Sequence, residues 1–77
     1  MPLYYFDLRD GDILIPDEEG VELTTFDAVQ AVAVRSLTDI AKDNARAGDF
    51  ACSLGFEVRD GIGPVLRAKF SLEIERL

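Results

Sequence analysis

The period of the apolar residues changes twice along this chain, and that change decides what it can fold into. Over residues 3–9 the period is two. Tyr4, Phe6 and Leu8 point one way, and Leu3, Tyr5, Asp7 and Arg9 point the other. From Phe26, the residues Val29, Ala33, Leu37, Ile40, Ala41 and Asn44 recur at helical spacing. From Cys52 the period is two again, through Leu54, Phe56 and Val58. It then runs on through Leu66, Ala68, Phe70, Leu72 and Ile74, alternating with Arg67, Lys69, Ser71, Glu73 and Glu75. A period of two suits a half-buried strand, and a period of 3.6 suits a helix with one apolar stripe.

The punctuation agrees with that reading. Asp10-Gly11-Asp12 is a hairpin signal that returns the chain through Ile13-Leu14-Ile15. Pro16 lacks an N–H and ends the pairing or confines it to an edge. Asp17-Glu18-Glu19-Gly20 reads as a turn, and Val21-Glu22-Leu23 leads towards the helix. Thr24 is placed as the N-cap, with Asp27 three positions on in the reach-back position of a capping box. Gly48 stops a helix of roughly 22 residues, about 33 Å long. Asp60-Gly61-Ile62-Gly63 makes a second hairpin turn before Pro64. The order is ββαββ within one domain, residues 1–77. The fold class expected is α+β, an antiparallel sheet of about four strands with one long helix on one face. The expected core is Tyr4, Phe6, Leu8, Ile13, Ile15, Phe56, Val58, Leu66, Ala68 and Phe70 against the helix.

Charge narrows the function classes. Fifteen acids against eight bases and no histidine give a net charge of -7 over 77 residues. Residues 1–27 carry the whole imbalance, with eight acids against Arg9 alone. Nucleic acid and anionic membrane surfaces both demand clustered cations, so neither is an expected partner. No apolar run approaches the ~18 residues of a membrane span, and the opening residues do not resemble a secretory signal. The cytoplasm is the expected location.

Candidate chemistry is sparse. One cysteine makes no internal disulfide, and without histidine neither a zinc site nor an activated Cys52 thiol is expected. The acids of Asp10-Gly11-Asp12 and Asp17-Glu18-Glu19 do not follow the spacing of a calcium loop. Pro2 invites comparison with small tautomerases, in which an N-terminal proline is the general base. Here, however, the first strand leads into a hairpin, and nearby acids favour the protonated amine. No catalytic residue, metal ligand or cofactor is therefore assigned.

What remains is surface. Leu3, Tyr5, Leu14 and Val65 fall on the sheet face away from the helix. The last strand outlasts its partners, and Leu72 and Ile74 keep its alternation going. A small domain without disulfide or metal gains most from association. The expected function is a non-enzymatic protein-association module, with a homodimer or another protein as partner. The alternatives are an acidic adaptor, antitoxin-like in size and element order, docking a basic protein through Asp17, Glu18 and Glu19, and the Pro2 tautomerase.

The chain also resembles a family of short bacterial proteins known only as a domain of unknown function. The opening from Met1-Pro2-Leu3-Tyr4-Tyr5-Phe6 to Arg9-Asp10-Gly11, and the stretch Asp17-Glu18-Glu19-Gly20-Val21-Glu22-Leu23, carry that resemblance. An alanine-rich helix, Phe56-Glu57-Val58-Arg59-Asp60 and Val65-Leu66 extend it over most of residues 1–70. Many members have histidine where this chain has Asp7. The resemblance implies a small bacterial, cytoplasmic protein, and it brings no activity with it.

Overall fold

The alternation at the start of the chain becomes β1 (Leu3–Asp10), which turns through Gly11 into β2 (Ile13–Ile15). The computed structural model describes residues 2–77, and Met1 lies outside them. Next come β3 (Val21–Glu22), α1 (Phe26–Arg46), β4 (Cys52–Arg59) and β5 (Pro64–Leu72). The sheet is antiparallel throughout, in the order β2-β1-β4-β5, and β3 adds a short fifth strand beside β1. The fold is α+β, as expected from the two changes of period.

α1 lies mainly over β4 and β5. Its buried residues Val29, Ala33 and Leu37 meet Phe6, Leu54, Phe56 and Val58 of the sheet. Phe6 and Phe56 pack edge to face with centroids 5.7 Å apart, a favoured aromatic geometry. Tyr4, Leu8, Leu66, Ala68 and Phe70 join the core half-buried.

Two expectations need correction here. Ile13 and Ile15 are not core residues; they are 64% and 51% exposed. Ile15 pairs with Leu8, so it does point to the helix side. The helix lies over β4 and β5 on that face, however, and among the described residues nothing covers β2. The N-cap is Thr25, not Thr24. Thr25 has extended φ/ψ (-133°, 156°), and its Oγ1 accepts the Ala28 N–H at 3.0 Å. The third helical residue is then Ala28, so no capping box forms. Asp27 instead places its charge in the first turn, at the positive end of the helix.

At the other end the Gly48 N–H donates to Ala45 O, and the Asp49 N–H donates to Asn44 O. Gly48 takes a φ of 88°, which suits glycine at this position. The cap makes a direct test. Thr25→Ala is expected to lower stability by about 1 kcal/mol, while Thr24→Ala should change it by less than about 0.5 kcal/mol. Chemical denaturation of the two variants checks the assignment.

Candidate functional site

The two outer edges of the sheet are built differently. On one side β1 is flanked first by β2 and then by β3. The pairings Leu8↔Ile15 and Tyr4↔Val21 run in the same sense, so residues 16–20 bulge out opposite Tyr5–Asp7. Asp17 fills that gap. One oxygen, Oδ2, accepts the Phe6 N–H of β1 at 3.1 Å. The other, Oδ1, accepts the N–H groups of Glu19 and Gly20 at 3.1 and 3.2 Å. The Asp17 N–H in turn donates to Asp7 Oδ1 at 2.9 Å. A carboxylate thus stands in for the missing strand.

Arg59 closes the cluster from β4. Its Nε donates to Asp7 Oδ2 at 2.9 Å, and a terminal nitrogen donates to the Asp17 carbonyl at 3.2 Å. The guanidinium lies 4.4 Å from the centre of the Tyr5 ring, in cation–π range. Burial pushes the Asp17 carboxyl up, but the three N–H donors and Arg59 outweigh it and hold the group below its ordinary value. The hydrogen bond to Asp7 leads the causes that keep Arg59 above its own.

The opposite edge belongs to β5. Among the described residues no strand lies against its outer side. Leu72 pairs with Cys52, the first residue of β4, and β5 ends there; residues 73–77 lie in no strand and have no partner strand among the described residues. Leu72, Ile74 and Leu77 are all exposed. Beside this edge a groove of about 280 Å³ runs between α1 and β5. It is lined by Gln30, Ala33 and Val34 on one wall and Leu66, Arg67 and Ala68 on the other. Val34 is 63% exposed there.

The sheet face away from the helix does not gather the four apolar candidates into one patch. Leu3 and Tyr5 lie half-buried at one end, close to Gly20, where an added Cβ would stand 3.0 Å from Leu3 Cγ. Val65 is half-buried near the start of β5, and Leu14 is exposed on β2, opposite Arg9. Between them runs a charged belt. Asp7 pairs with Arg59 there, and Arg9 donates to Glu57 at 2.9 Å. Arg67 and Lys69 complete it, with no carboxylate in ion-pair range among the described residues. A shallow depression of about 150 Å³ lies by Gly55 between Arg9 and Lys69.

Of the acidic loop, only Glu18 and Glu19 remain as exposed charges, because Asp17 is half-buried and holds the backbone. Pro2 contributes its carbonyl, which accepts the Leu23 N–H at 3.2 Å. The roles of Arg59, Val34 and Ala68 do not follow from alternation alone. An acid three residues before Gly20 is the one local signal that points to a turn-forming Asp17.

Among the described residues no helix is long and apolar enough to cross a membrane. The chain matches the family described as Domain of unknown function (DUF6894) over residues 3–71, and it belongs to that family. No curated protein and no solved structure matches it.

Proposed function

We propose that this DUF6894 chain is a non-catalytic, cytoplasmic association module that pairs with a second copy of itself through the edge of β5. The observation that carries this reading is the contrast between the two sheet edges. Natural sheets protect their edges with short strands, prolines and inward charges. The β1 edge has all three, in β2 and β3, in Pro16 and in Asp17. The β5 edge is nine residues long, its one proline, Pro64, stands only at the start, and its half-buried positions alternate beyond it. An unpaired strand of that length is a template for antiparallel addition.

Surface area supports the same reading. The chain exposes 5681 Å², whereas a compact monomer of its mass exposes about 4,700 Å². The excess is comparable to the roughly 800 Å² each partner loses in an interface of standard size. Part of it lies in residues 73–77, which strand pairing would cover.

Ile74→Asp tests the reading. Ile74 is 63% exposed in the single chain, so the substitution should leave the fold intact. Burying it twice in a symmetric pair stabilises that pair by roughly 3 kcal/mol or more. The dimer is therefore expected to weaken by about a hundredfold, as read by sedimentation equilibrium. An unchanged dissociation constant would remove the β5 continuation from the interface.

A further inference from the structure

Resting on that self-pairing, we infer its register: the two β5 strands run antiparallel about a two-fold axis at Ser71. The argument starts from side-chain order. On the face away from the helix the strand presents Val65, Arg67, Lys69 and Ser71, and the alternation continues through Glu73, Glu75 and Leu77. β5 ends at Leu72, so Glu73 and Glu75 lie beyond it, and strand pairing would extend the alternation over them. The two cations then precede Ser71 and the two anions follow it, at matching spacing in the sequence. None of the four has an ion-pair partner among the described residues. Within one extended strand Lys69 and Glu73 are about 13 Å apart, too far to meet.

Antiparallel pairing about Ser71 brings them together across the interface. Lys69 faces Glu73 of the second copy, Arg67 faces its Glu75, and Val65 faces its Leu77. Symmetry makes each pair twice. Directly opposed residues share one face of an antiparallel sheet, so the helix side is matched as well. Phe70 faces Leu72 of the second copy, Ala68 faces its Ile74, and Leu66 faces its Arg76, whose aliphatic stem can cover the leucine while its head reaches water. Ala68 is small and lines the groove below Val34. The Ile74 side chain of the second copy fills that groove, which otherwise leaves Val34 in water.

Neighbouring registers lack this fit. A two-fold at Ala68 sets Arg67 against Lys69, and one at Lys69 sets that lysine against itself. A two-fold at Phe70 keeps only Arg67 with Glu73, and one at Leu72 keeps only Lys69 with Glu75. Like charges directly opposed across strands are destabilising.

The test is a charge exchange in the full chain. Lys69→Glu and Glu73→Lys are exposed substitutions that leave the core untouched. Each alone should weaken the homodimer at least about tenfold at low salt. The double variant should return to within about threefold of the original dissociation constant. Mixing the two single variants should give a heterodimer tighter than either homodimer. In that mixed pair the two substituted positions face each other with opposite signs, and the unchanged Glu73 of one copy faces the unchanged Lys69 of the other, so both cross-strand contacts are attractive. A dimer that persists without this rescue overturns the register but leaves self-association standing. Rescue of Glu73→Lys by Arg67→Glu in place of Lys69→Glu would also overturn it, in favour of a two-fold at Phe70. A chain monomeric at all concentrations would overturn the self-association beneath it.

Discussion

Asp17→Ala is expected to destabilise the fold by about 2–3 kcal/mol, a fall of roughly 10–20 °C in Tm for a domain of this size. The change removes the acceptor for three backbone N–H groups at once. The Phe6 N–H suffers most. Phe6 is a core residue on β1, and the bulge at residues 16–20 leaves no strand to accept that proton. Asp17→Asn keeps an acceptor oxygen and should recover part of the loss. Thermal unfolding of the two variants beside the original chain decides it. Equal stability for all three would mean that the bulge is held by its strands alone.

The same group gives a pH dependence with a definite sign. The Asp17 carboxyl is held below its ordinary value of 3.8. The unfolded chain therefore binds its proton first as the pH falls. The stability that Asp17 contributes is complete above the ordinary carboxylate range, and it is lost as the pH drops through the lowered folded value. Asp60 adds in the same direction, because the N–H groups of Gly63 and Ile62 hold its carboxyl low in the β4–β5 turn. Asp17→Asn should flatten the acid limb below about pH 4 and leave stability near neutrality less affected than Asp17→Ala does.

The second large effect is expected at Gly55, in the middle of β4. A Cβ there would stand 2.9 Å from the Ala68 carbonyl oxygen of β5, inside contact distance with backbone that cannot swing away. Gly55→Val should cost about 3 kcal/mol by forcing the two strands apart. It should also weaken self-association, because β5 carries the proposed interface. Gly61→Ala is the control. Nothing lies within 4 Å of that position and its φ is ordinary, so it should be neutral or stabilise the fold slightly. Urea titration of both variants, followed by sedimentation, separates the loss of fold from the loss of pairing. Full stability in Gly55→Val would show that β4 and β5 can shift apart without cost.

How far the sequence reveals this molecule differs from element to element. The strands and the helix are plain because alternation and helical spacing are local properties of the chain. Thr24 and Thr25 are the same residue type side by side, and only the backbone turn at Thr25 chooses between them as the cap. Ile13 and Ile15 point to the helix side, as their alternation implies. Alternation reports a face, however, and not what covers it; the placement of α1 over β4 and β5 leaves them in water. In the sequence Asp17 is one more acid in an acidic loop. Its role depends on a bulge opposite Phe6, which is a long-range feature. The opposite charges on either side of Ser71 are present in the sequence from the start. They acquire meaning once β5 is seen to be an edge strand with its outer side open.

The central claim is that this chain pairs with itself, and the solution mass of the full chain tests it most directly. Light scattering over a wide concentration range should give twice the 8.5 kDa chain mass, falling towards one chain on dilution. A mass of one chain at every concentration would contradict the claim.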